Sequence, residues 1–356
     1  MLFINNMSLS NKRPDDAVVL QRLADLLGVD AGTATVKRSP KSTSSQRIDL
    51  ADLAFAAELT GKGDAASVGQ AIRVAQAAAK QWKPQALPLV VVPYMGAVGQ
   101  QLCQEAAVCW LDRSGNASLQ GKPGLRIQIE GKPNLFKSAG RPQNLFAPKS
   151  ARIARCLLMQ PQRPFTQREL AETSGLDEGF TSRIVRGMEA QALLQRNNAG
   201  AVRMPEPELM LEAWREAYDF NKHRIVRGHM ATRSGMDSVK QIATTLERHH
   251  IRYAATGLAG AWCVNHFAGF RLATVYHDGL LDEAIRTELG FREESRGANV
   301  WLVSPNDTGI FQGAEARDGI QCAHPVQLYM DLKNQPERAQ EASEALKASL
   351  WEGHES

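Results

Sequence analysis

The residues of this chain best suited to chemistry lie between positions 149 and 203. The segment FTSRIVRGMEA reads as a helix with Phe180, Ile184, Val185 and Met188 as its apolar stripe, and Thr181, Ser182, Arg183 and Arg186 on the opposite face. Those types suit one task. An arginine offers two donors to a guanine edge, and hydroxyls reach phosphates or base edges, so a helix of this size carrying them fits a major groove. Next, LLQR, NNAG and AVRM read as strand, turn and strand, with Asn and Gly supplying the left-handed backbone of a hairpin. Arg196 and Arg203 lie on that hairpin, available to backbone phosphate. Lys149 and Arg152 at the head of the block, and Thr166 within it, complete the expected DNA contacts.

These side chains need elements to hold them. Ile153, Leu157 and Leu158 recur at helical spacing, and Pro161 and Pro164 close that helix. Thr166 with Glu169 three residues on spells a capping box for the next helix, QRELAETS, which buries Leu170 and Ala171 and stops at Gly175. The turn GLD is short enough for a steep crossing, and Asp177 caps the helix of Arg183. Residues 149–203 carry nine basic and five acidic side chains, net +4. From 120 to 155 stand Lys122, Arg126, Lys132, Lys137, Arg141, Lys149, Arg152 and Arg155 against the single acid Glu130, a net +7 that attracts polyanions. A solvated basic linker has the same composition.

Other chemistry finds less material. Glu130-Gly131-Lys132 spells an acid-x-Lys, with Asp112 upstream, which with magnesium would activate water; Asp49 or Asp52 could supply an acid, but no acid-x-Lys follows at Glu58 to Lys62. Cys103/Cys109 and His249/His250 have no spacing that closes a metal site. No G-x-S-x-G and no G-x-x-x-x-G-K occurs, so neither a nucleophile elbow nor a phosphate loop is expected. No catalytic residue, metal or cofactor is assigned.

Along the 356 residues the pattern predicts a multidomain α/β (α+β) chain. Residues 1–46 read as an extension with one helix, PDDAVVLQRLADLLGV, and a linker, TVKRSPKSTSSQ. Residues 47–135 read as an α/β domain. Within it, RIDLADLAFAAEL is strand or helix, SVGQAIRVAQAAAKQW a helix, LPLVVVPY a buried strand, and VCWLD, ASL and LRIQIEG further strands. A Pro-, Gly- and Asn-rich stretch precedes the winged helix-turn-helix at 150–204; a connecting helix spans 205–235, and a second α/β domain 236–352.

The string SGLDEGFTSRIVRGMEAQALLQR resembles the helix-turn-helix and wing of MarR-like regulators, over about 55 residues. TGLAGAW with FRLATVYHDG resembles the opening of minimal nucleotidyltransferases, but Ala273, Thr274 and Val275 stand where that family holds paired carboxylates, and Asp278 after His277 is alone; the resemblance implies a catalytically dead fold. The 47–135 unit resembles, faintly, a restriction-endonuclease-like core in degenerate form.

The ending resembles the C-terminal motif of AbiEi-family antitoxins, in Pro325, Gln327, Leu328, Tyr329, Asp331, Leu332, Pro336 and Arg338. That family implies a DNA-binding autorepressor of a type IV toxin-antitoxin operon. It also implies a nucleotidyltransferase-type toxin encoded nearby, opposed without a tight complex. Many relatives begin with the winged helix, whereas about 150 residues precede it here. A core helix with Leu328, Tyr329 and Leu332 buried explains the same string.

The expected partner is double-stranded operator DNA, with a homodimer suited to inverted repeats. A metal-dependent nuclease using Asp112, Glu130 and Lys132, and a module binding only protein, are the alternatives. No apolar run is long enough to cross a membrane or to act as a signal peptide, and the five scattered cysteines suit reduced, buried thiols in a cytoplasmic protein.

Overall fold

The segment LPLVVVPY supplies the central strand of the front unit because its side chains are apolar on both faces. The computed structural model describes residues 14–38, 45–82, 85–122, 124–136, 145–266 and 269–351. They divide into two compact units, 1–142 and 143–356. The architecture is mixed α/β, with twelve α-helices among the described residues.

The front unit runs α1 (Pro14–Leu27), β1 (Thr35–Arg38), β2 (Ser45–Leu50), β3 (Leu53–Leu59), α2 (Ala65–Gln81), β4 (Leu87–Val92), α3 (Ala97–Glu105), β5 (Cys109–Asp112), β6 (Ala117–Lys122) and β7 (Leu125–Ile129). Its seven strands lie in sequence order, parallel across β3–β4–β5 and antiparallel elsewhere. On β4, Leu89 and Val91 pack with α1 on one face, while Val90 and Val92 pack with α2 and α3 on the other.

Two boundaries move. Val19, Leu20, Leu23 and Ala24 of α1 are buried against Ile48, Phe55 and Leu111, and Thr35–Arg38 pairs with β2, so the segment read as an extension is part of this core. The ambiguous RIDLADLAFAAEL is the hairpin β2–β3; Ala51 takes φ 53° and Leu50 pairs with Leu53.

The second unit begins with α4 (Ala151–Met159), α5 (Gln167–Ser174), α6 (Glu178–Ala190) and a hairpin of β8 (Gln195–Arg196) and β9 (Val202–Arg203). Then come α7 (Pro207–Ala217), β10 (Arg224–His229), α8 (Gly235–Arg248), β11 (Arg252–Thr256), α9 (Gly257–Asn265), β12 (Ala273–Asp278), α10 (Glu283–Glu288), β13 (Arg292–Glu293), β14 (Val300–Ser304), β15 (Glu315–Arg317), β16 (Ile320–Cys322), α11 (Pro325–Asp331) and α12 (Ala339–Ser349). A second seven-stranded sheet has the order β13-β10-β14-β12-β11-β16-β15. Since β10 pairs with β14, the sheet domain starts before residue 236, and the connecting helix is only α7. Helix α8 covers one face through Val239, Ile242 and Leu246; α9, α11 and α12 cover the other through Leu258, Leu328 and Leu346.

All five cysteines are buried and unbridged. No helix among the described residues is long and apolar enough to cross a membrane.

Candidate nucleic-acid interface

Local signals set the three helices as the sequence predicts. The Thr166 hydroxyl accepts from Glu169 N, and the Glu169 carboxylate accepts from Thr166 N at 2.7 Å and from its hydroxyl at 2.9 Å. Those donors hold the Glu169 carboxyl below its usual range. Gly175 ends α5 at φ 62°, and Asp177 caps α6 by accepting from Phe180 N at 2.7 Å. The hairpin turn is built on Asn197, whose side-chain oxygen accepts from Ala199 N and Ala201 N at 3.0 Å, with Gly200 at φ 82°. Phe165 and Val202 exchange backbone bonds of 2.8 and 2.7 Å, adding a bridge beside it.

On α6 the faces fall one residue away from expectation. Thr181 is fully buried with Ile184, Val185 and Met188, at spacings of three, four and seven, and so cannot reach a groove. Phe180 is half-buried and carries Arg183 and Lys149 over its ring, at 5.1 and 5.3 Å from the centroid. Arg183 and Arg186 are exposed; Ser182 is half-buried, and its carbonyl accepts from Arg186 Nε at 3.4 Å. The ring thus gathers Lys149 with Arg183, a contact the sequence does not display.

The other arginines divide. Arg203 is exposed. Arg196 is braced by Glu189 at 3.0 and 3.1 Å and donates to Gly200 O at 2.7 Å, so it ties the hairpin to α6. Arg152 is not a groove residue: its fork is closed on Asp307. Arg155 is buried, and its guanidinium donates to Gln327. The basic span is therefore not one field, and Lys137 and Arg141 lie outside the described residues. Arg163, overlooked in the sequence, is partly exposed beside the capping box; it pairs with Glu169 at 2.9 Å and lies over Phe165.

In the front unit Asp112 is buried and serves a turn. Its oxygens accept from Asn116 N and Asn116 Nδ2, both at 2.8 Å, and from Met95 N at 3.1 Å. Asn116 in turn accepts from Lys132 N at 2.8 Å, while Glu130 is exposed and accepts from Gln128. Among the described residues no three His, Cys, Asp or Glu side chains gather as a metal set.

The PVQLYMDL string is α11, with Leu328, Tyr329 and Leu332 buried as a core helix requires. Its polar positions are also buried. Asp331 accepts from Tyr218, from Thr256, from Tyr276 at 3.0 Å and from Gln327 Nε2 at 2.7 Å. Burial outweighs those donors and raises its carboxyl to about 6, while burial lowers His223, 2.9 Å from the Tyr218 hydroxyl, to about 4. On β12 no carboxylate appears before Asp278, which pairs with Arg252 across the strand register.

Residues 203–350 match the family model described as transcriptional regulator, AbiEi antitoxin, type IV toxin-antitoxin system. That span is similar to AbiEi antitoxins. It takes in α7, the whole second sheet and the Asp331 network, and it starts at the last residue of β9, so α4, α5 and α6 precede it. Neither the curated proteins nor the solved structures gave a match to the chain.

Proposed function

We propose that this chain is a winged helix-turn-helix regulator that binds double-stranded operator DNA, represses its own operon and opposes a nucleotidyltransferase-type toxin encoded beside it. The observation that carries the reading is α6, which keeps Arg183 and Arg186 outside while Thr181, Ile184, Val185 and Met188 anchor it inside. Arg183, Arg186 and Ser182 would face the groove, with Lys149 and Arg203 on phosphate and Arg196 shaping the wing. Thr166, its hydroxyl engaged in the capping box, would act by fixing the start of α5. The AbiEi-like span supports the antitoxin role. The proposal gives the chain no catalytic step and no cofactor, sets it in the cytoplasm, and has a homodimer read an inverted repeat.

A mobility-shift titration at fixed salt tests it. Arg183→Ala is expected to cost about 1–3 kcal/mol of operator binding, because an exposed groove-facing arginine contributes on that order. Unchanged affinity would remove the assignment.

A further inference from the structure

Where α4 meets α7 and the turn before β10, a cavity of about 40 Å³ is lined by Arg155, Trp214, Tyr218, Lys222, His223 and Asp307 among others. Two of the lining residues carry a buried donor with no acceptor among the described residues: Arg155 its Nε and Trp214 its Nε1. Arg155 is 3% exposed and Trp214 1%, so water outside the fold cannot serve them. The guanidinium lies 5.1 Å from the indole centroid.

Among the described residues Arg155 also has no direct counter-charge. Its terminal nitrogens reach the side-chain oxygens of Gln327 and Gln312, both neutral, and Asp331 lies beyond Gln327. The carboxylates at the cavity are engaged elsewhere: Asp307 with Arg152 at 2.7 and 2.9 Å, and Asp219 with Asn221 N at 3.0 Å. Asn306 N donates to His223 Nδ1 at 3.1 Å, so the neutral ring carries its proton on Nε2, toward Tyr218. Lys222 adds a second cation, exposed, beside the cavity.

We propose that this cavity binds a small oxyanion, of the carboxylate or phosphate class, held by Arg155 Nε–H and Trp214 Nε1–H. A buried donor without an acceptor is costly, and a buried cation without an anion more so; an oxyanion answers both, whereas water answers only the first. A single water needs only about 10–15 Å³ of such space, so the cavity admits a compact anion but not a nucleotide. The ligand would bridge the first helix of the helical unit to the AbiEi-like span. The site stands whether or not the chain binds DNA.

Calorimetric titration of the full chain with sodium phosphate and, separately, sodium acetate, against sodium chloride at matched ionic strength, tests this. Saturable heat with either oxyanion and none with chloride is expected, the responding salt assigning the class. Trp214→Phe keeps the ring but loses the donor, and Lys222→Ala alters only an exposed side chain; each should weaken binding, the first by roughly tenfold. Circular dichroism of the same samples verifies that both variants are folded. No saturable binding to the wild type, or binding unchanged in both variants, would overturn the proposal.

Discussion

Arg152 and Asp307, 155 positions apart, meet in a two-pronged ion pair with Nε to Oδ1 at 2.7 Å and Nη2 to Oδ2 at 2.9 Å. The pair joins the first helix of the helical unit to the loop after β14. With 20% and 13% of the side chains exposed it is partly shielded from solvent. Arg152→Ala is therefore expected to destabilise the second unit by about 1–3 kcal/mol, between the values of an exposed and a buried pair. Operator affinity per folded molecule should be kept. A urea midpoint that does not move, with lost DNA binding, would return Arg152 to the interface.

Thr181 gives the opposite test. Its hydroxyl is buried without a partner among the described residues, so Thr181→Val removes an unsatisfied group at almost constant volume. Stability should stay level or rise by up to about 1 kcal/mol, and operator affinity should not change. Thermal unfolding and the mobility shift read the two effects separately.

Arg203, exposed on β9, should act as a phosphate contact. Arg203→Ala is expected to weaken operator and unrelated duplexes alike and to lower the slope of log affinity against log salt by about one. Loss confined to the operator would assign it to base reading.

The buried groups around α11 predict a pH signature. His223 and His324 fall to about 4 by burial, so the stability they contribute is present above the unfolded histidine range near 6.5 and lost as pH falls through it. Asp331 rises to about 6, so its contribution is full below the unfolded aspartate value, near 4, and lost as pH climbs to 6. The two trends oppose between pH 4 and 6. Asp331→Asn removes one of them, and stability should then fall on acidification more steeply than in wild type, by about 1.4 kcal/mol per pH unit. Parallel slopes in denaturant titrations across that window would contradict the assignment.

Local signals were legible in the sequence: the Thr166–Glu169 box, the Gly175 stop, the Asp177 cap and the buried strand at Leu87–Val92 each depend on neighbours a few residues away. What escaped depends on distant partners. Whether Arg152 faces DNA or Asp307 is decided across the fold, and nothing near position 152 announces it. Thr181 lies inside with Ile184, Val185 and Met188, whereas the half-buried Phe180 ring serves as a platform for Arg183 and Lys149. Beyond their own mutual bond, the polar Gln327 and Asp331 inside a core helix are satisfied by Arg155, Tyr218, Thr256 and Tyr276, residues spread over distant elements.

The strand order of the two sheets bears on how the chain matures during synthesis. Each strand of the front sheet hydrogen-bonds to the one emerging just before it, so that sheet can close progressively as it leaves the ribosome. The second sheet cannot. Its strand β11 waits for β16, Ala255 pairing with Cys322, so a nascent chain short of that point holds a completed front unit and an open edge behind it.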